Sequence, residues 1–181
     1  MLENLHQLDK DLLIFLNNIG SETYDPFWYF ITSFYTWIPL FIVFFILFFR
    51  TYHRTKALKS VLLTFSLVIL VNILMIITKE SIVRLRPLNN PDLLDVLRPV
   101  YAATDYSFFS GHASNSFAIT TFVVLCLRFK YKWIYLFYIW PILFSFSRMY
   151  LGAHYPSDIL VGTLVGLAIG NIFYRIHRRI R

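Results

Sequence analysis

Five apolar runs, residues 30–49, 58–78, 112–127, 131–146 and 159–174, constrain the fold of this 181-residue chain more than any other feature. A helix needs about 17–25 mostly apolar residues to cross a bilayer. The third and fourth runs sit at the short end, so tilt or extension into the flanks is expected. Pro39 and Pro141 fall inside runs, where neighbouring helices can satisfy the freed carbonyls. Ahead of the first run, Leu2, Leu5, Leu8, Leu12, Leu13, Phe15 and Leu16 recur at helical spacing, with Glu3, Asp9, Lys10 and Asp11 between them. That pattern predicts an amphipathic helix lying in the interface, with a sixth span as the alternative. The expected fold class is all-α: one polytopic membrane bundle over residues 1–181, with five transmembrane helices. Composition agrees, since only 15% of residues are charged and 57% are hydrophobic, where a soluble domain carries about a quarter charged. Cys126 lies inside an apolar run and reads as a small packing residue. No cleaved signal peptide is expected, because the first residues lack a basic start followed by an apolar core.

The net charge of +7 has a topological explanation. Arg50, Arg54, Lys56 and Lys59 join runs one and two, and Arg128, Lys130 and Lys132 join runs three and four. Arg175, Arg178, Arg179 and Arg181 end the chain. These three regions contain no acid, whereas all ten acids fall in the N-terminal segment, in the 79–110 link or at Asp158. Basic loops face the cytoplasm. Five spans with the N-terminus outside and the C-terminus in the cytoplasm satisfy that rule throughout, and nucleic-acid binding is not expected. The 79–110 link, the 147–158 turn and the start of the third span then share the non-cytoplasmic face.

Three polar clusters meet on that face. Lys79 and Arg86 are seven residues apart, two turns, and so share a helix stripe that Pro87 ends. Two cations there can converge on a phosphate, or can merely snorkel toward head groups. In the second cluster Ser110 is a candidate N-cap, Gly111 allows close backbone approach, and the free amides of the first turn favour an anion. His112 in that turn can give a proton to a leaving oxygen; otherwise it is a wet histidine on a capped helix. In the third, His154 precedes a helix that Pro156 opens, and Asp158 is placed to reach back to it. A carboxylate on one ring nitrogen leaves the other free as a nucleophile; an interfacial ion pair is the plainer alternative. Arg148 adds a further cation. Two histidines, one carboxylate and three cations at one face, each at the end of a span, describe phosphoryl transfer. No carboxylate cluster suggests a metal pair, so a metal-independent reaction without cofactor is expected.

Lys79 with Arg86-Pro87, then Ser110-Gly111-His112, then Ser147-Arg148, His154 and Asp158 resemble the three-part signature of the type 2 phosphatidic acid phosphatases, a family whose active site resembles that of vanadium-dependent haloperoxidases. The match spans residues 79–158 and departs at one place: Phe109 stands where proline is usual. The resemblance implies that His154 attacks phosphorus to form a phosphohistidine, with Asp158 orienting it. It implies His112 as general acid, and Lys79, Arg86, Ser110, Gly111 and Arg148 as holders of the phosphate oxygens. Arg84 and Arg98 match no position in the signature. Arg98 reads as a solvated loop charge, with a second phosphate or a sugar as the alternative.

An integral lipid phosphatase of a bacterial cytoplasmic membrane follows, its site facing outward, with a lipid phosphate and the bilayer as partners and no protein partner expected. Undecaprenyl diphosphate is preferred slightly over lipid A among the family's substrates, with phosphatidylglycerophosphate and phosphatidic acid behind. A lipid flippase or lipid-binding protein is the non-enzymatic alternative. His112, His154 and Asp158 argue against it, since binding needs only the cations. The 88–106 link is expected to shape head-group entry.

Overall fold

The computed structural model describes residues 2–100 and 104–180 and is built of helices, with no strand among the described residues. Arg181 of the basic tail, residues 101–103 of the 88–106 link and the Leu2 side chain lie outside that description. Among the described residues seven α-helices follow one another: α1 Leu2–Asn18, α2 Asp25–Thr32, α3 Ile38–Thr51, α4 Arg54–Ile82, α5 Gly111–Leu127, α6 Ile139–Tyr150 and α7 Pro156–Arg179. Three helical stretches are long and apolar enough to cross a membrane, Phe34–Thr51, Arg54–Leu93 (whose long helix is α4) and Pro156–Arg179, and Gly111–Leu127 is a shorter apolar helix.

The expected first span, 30–49, is broken. α2 stops at Thr32, Ser33 is extended, and a 3₁₀ turn, Phe34–Trp37, leads into α3. Pro39 explains the break, because a helix running through it would lose a hydrogen bond and meet the ring of the proline. In the first turn of α3 the same proline costs nothing. The carbonyls released at the end of α2 are taken up by side chains: the Thr36 hydroxyl donates to Phe30 O at 2.6 Å and the Trp37 indole to Ile31 O at 2.8 Å. Pro141 is likewise in the first turn of its helix, as the third residue of α6. Neither proline therefore needs rescue from a neighbouring helix.

α1 has two unlike faces. Leu5, Leu8, Leu12 and Phe15 are exposed, while Leu13 packs with Leu93, Leu97 and Tyr155. Its polar residues tie it to the rest of the chain: Lys10 pairs with Asp92 at 3.1 Å, and the buried Asn17 amide donates to Tyr150 O at 2.8 Å.

α5 is the axis of the bundle, buried along most of its length and rich in Ala, Ser and Thr. Small residues let membrane helices approach closely. α7 meets it with Gly162, Gly166 and Gly170, spaced one turn apart. A Cβ on these would lie 2.7 Å from Ser110 O, 2.5 Å from Ser114 O and 2.7 Å from Ala118 O. That contact fixes the register of the two helices, and with it the meeting of the second and third polar clusters: Ser110 N–H donates to Asp158 O at 3.1 Å.

Candidate active site

The C-terminal ends of α4 and α6 and the starts of α5 and α7 converge, and a cavity of about 680 Å³ opens among them. Lys79, Arg86, Gly111, His112, Arg148 and His154 all line it. Six of the eight predicted residues are thus brought to one space. Ser110 and Asp158 stand behind its wall, both fully buried. The Ser110 hydroxyl accepts from Ala113 N–H at 3.4 Å as the N-cap of α5, the role its position predicts.

His154 is held from two sides. Its Nδ1 lies 3.4 Å from Asp158 Oδ2, and its Nε2 lies 3.2 Å from Arg86 Nη1 at the cavity. Asp158 is itself fixed, since Oδ2 accepts Tyr155 N–H at 3.0 Å in a capping box that starts α7. Burial, then Arg86, Arg148 and Lys79, hold the His154 imidazole well below its ordinary value near 6.5. Each of these disfavours the imidazolium, so the ring stays neutral and Nε2 keeps its lone pair.

The expected shared stripe of Lys79 and Arg86 is not helical. α4 ends at Ile82, Val83 takes the left-handed conformation with φ 53°, and Arg86 is extended at φ −67°, ψ 154°. Pro87 accounts for this, because a residue before proline is pushed out of the helical region. The two cations still converge, now through a bend instead of a stripe. Both bind Asp105: Lys79 Nζ pairs with Oδ2, and Arg86 Nη2 and Nε donate to Oδ1 at 2.8 and 3.0 Å. Burial raises the Asp105 carboxyl, but the Lys79 hydrogen bond and the Arg86 charge outweigh it and hold the group below the ordinary carboxylate value. An anion thus already sits on these two cations.

Two unplaced arginines find structural partners. Arg84 donates to Asp158 Oδ1 at 2.7 Å and to Asp9 Oδ2 at 2.7 Å, and lies over the Tyr155 ring at 3.8 Å. It ties α1 to the carboxylate that holds His154. Arg98 is neither solvated nor in the cavity. It pairs with Asp25 at 2.6 Å, and its N–H donates to Asn17 Oδ1 at 2.7 Å. Thr32, the last residue of α2, holds two of the lining residues: its hydroxyl accepts from Arg148 Nη1 at 2.8 Å, and its backbone hydrogen-bonds the His112 ring. The His112 ring also rests on Phe144, centroids 4.6 Å apart. Phe109 is buried at 4% exposure. Motif spacing gives no signal for Asp105, Arg84, Asp9 or Thr32.

The chain is similar to known proteins. Residues 58–181 match the PAP2 superfamily. The lipid A 4'-phosphatase of Bacteroides thetaiotaomicron is 31% identical over 99% of this chain and 81% of its own length. That of Porphyromonas gingivalis is 29% identical over 97% and 75%. The undecaprenyl-diphosphatase of Sulfolobus acidocaldarius is 33% identical over 86% of this chain and 64% of its own. The crystal structure of the transmembrane PAP2-type phosphatidylglycerolphosphate phosphatase from Bacillus subtilis superimposes with a TM-score of 0.76 at 21% identity, covering 98% of this chain and 88% of that one, a likeness of fold. The match over more than half the chain, together with helices fit to cross a bilayer, makes this a membrane protein of the PAP2 superfamily.

Proposed function

We propose that the chain is a metal-independent lipid phosphatase that passes a phosphoryl group through His154 to water. One observation carries this: His154 presents Nε2 to a cavity lined by Lys79, Arg86 and Arg148 while its Nδ1 faces a buried carboxylate. Binding alone would need the cations and not that pair. Nε2 attacks phosphorus, the bond from phosphorus to the lipid oxygen breaks, and His112 delivers a proton to the departing oxygen. A water then attacks the phosphohistidine and loses its proton to His112, freeing inorganic phosphate. Lys79, Arg86, Arg148 and the Gly111 amide hold the oxygens that gain charge, and Ser110 acts through the cap that presents that amide. Asp105 leaves the two cations as phosphate arrives.

The substrate follows the relatives. Two lipid A 4'-phosphatases align with almost the whole chain, which favours a phosphorylated, acylated sugar lipid over the undecaprenyl diphosphate slightly preferred from the family resemblance. The cavity supports a lipid of some kind: Phe45 and Phe65 line it and are also 45% and 64% exposed, so it opens sideways between α3 and α4 toward the bilayer. The charge pattern supports five spans, α1 at the interface, and the site on the non-cytoplasmic face of a bacterial cytoplasmic membrane. Arg50 and Lys130, whose Nζ donates to Arg50 O at 2.5 Å, support the opposite end as the cytoplasmic one.

The purified protein in detergent with chelator, offered lipid A 4'-phosphate, undecaprenyl diphosphate and phosphatidic acid, is expected to release phosphate fastest from the first. Release from none of them would overturn the enzymatic reading. Fastest release from the polyprenyl substrate would overturn the substrate assignment alone.

A further inference from the structure

Beyond the phosphate site the cavity continues along α4 from Lys79 to Val61, about 27 Å of helix against a hydrocarbon core about 30 Å thick. Its walls there are aliphatic and aromatic, with Thr64 and two carboxamides as the polar exceptions. Asn72 lies two turns below Lys79 on α4, and Asn115 one turn below Gly111 on α5. They face each other across the cavity wall, each amide nitrogen 3.4 Å from the other's Oδ1. Each amide also donates within its own helix, Asn72 to Val68 O at 2.8 Å and Asn115 to Gly111 O at 3.0 Å.

The bookkeeping of donors is informative. Both N–H groups of each amide are engaged, while each Oδ1 takes a single long bond and keeps a lone pair. A pair serving only to join two helices in hydrocarbon is expected to close to about 2.9 Å. At 3.4 Å the contact is loose, and both residues line the cavity. Each Oδ1 has room for a second hydrogen bond, so this position favours an occupant that donates one.

We propose that Asn72 and Asn115 form a polar subsite that accepts an amide N–H or a hydroxyl near the base of an acyl chain. The subsite selects phosphorylated lipids with amide-linked or hydroxylated acyl chains over polyprenyl phosphates, whose tails carry no donor. It rests on the lipid phosphatase reading and names the feature of the lipid that is read. Asn115 is about 6 Å of helix from Gly111, a depth that the first atoms of a chain attached two ring carbons from the phosphate reach.

The test compares kcat/KM for two synthetic substrates, an N-(3-hydroxyacyl)glucosamine 4-phosphate and farnesyl phosphate. Asn72→Leu and Asn115→Leu are each expected to lower the ratio of the first to the second about tenfold, mainly through KM of the first. A ratio unchanged in both variants overturns the subsite. Analogues offered to the unaltered protein avoid any folding defect: one lacks the 3-hydroxyl, the other carries an ester in place of the amide. A rise in KM of about tenfold for one analogue identifies the donor that is read, and equal KM for both analogues and parent overturns the proposal. Absence of phosphate release from both substrates by the unaltered protein overturns the phosphatase reading itself, a result distinct from an unchanged ratio.

Discussion

The His112→Ala variant is expected to lose about 10²–10⁴-fold in kcat on lipid phosphates, yet to keep most of its activity on p-nitrophenyl phosphate. The contrast follows from the leaving group. A lipid alkoxide needs the proton that His112 supplies from the first turn of α5, whereas p-nitrophenolate departs without one. The His154→Ala variant is expected to fail on both, by more than about 10⁴-fold, because among the described residues lining the cavity His154 is the one whose ring is held by a buried carboxylate. Equal losses on the two substrates in His112→Ala would remove the general-acid role. The pH profile adds a sign. His154 must be neutral to attack, and its burial beside Arg86, Arg148 and Lys79 holds it neutral well below 6.5. The acid limb of kcat/KM for the unaltered protein is therefore expected below that value, with activity falling as pH drops through it.

The second large effect concerns the frame that holds the site. At Gly166 a Cβ would stand 2.5 Å from the backbone oxygen of Ser114, and backbone cannot turn aside as a flexible side chain can. Gly166→Leu is expected to force α5 and α7 apart at a cost of about 3 kcal/mol or more, lowering the melting temperature in detergent by roughly 6–12 °C. The damage reaches the chemistry through register, because the same contact brings Ser110 N–H to Asp158 O. Leu164 lies on the same helix but is 57% exposed, and Leu164→Ala is expected to leave both melting and phosphate release nearly unchanged. Gly166→Leu melting like the unaltered protein would show that the glycine stripe does not set the register.

What could be read from the sequence was local. Lys79, Gly111, His112, Arg148 and His154 each sit within a few residues of the end of an apolar run, so spacing and the positive-inside rule together placed them on one face. The cap on α5 and the reach of Asp158 back to His154 are also contacts within four residues along the chain. Contacts across the chain had no such signal. Asp9 and Ser157 are 148 positions apart, yet Ser157 N–H donates to Asp9 Oδ1 at 2.8 Å. Arg84 joins Asp9 to Asp158, and Thr32 reaches Arg148 over 116 positions. Helix ends depart from the hydropathy pattern where proline overrides it, at Pro39 and just before Pro87. The Asn72–Asn115 pair was unread because neither residue lies in a motif, and only packing sets them opposite each other.

The central claim, that phosphorus passes through His154, has one direct measurement. The protein is mixed with a radiolabelled lipid phosphate, quenched in base, where phosphohistidine survives, and digested for mass spectrometry. Label on the peptide containing His154, absent from the His154→Ala variant, is the result expected. Turnover with no label on any histidine, or label that persists in that variant, would contradict it.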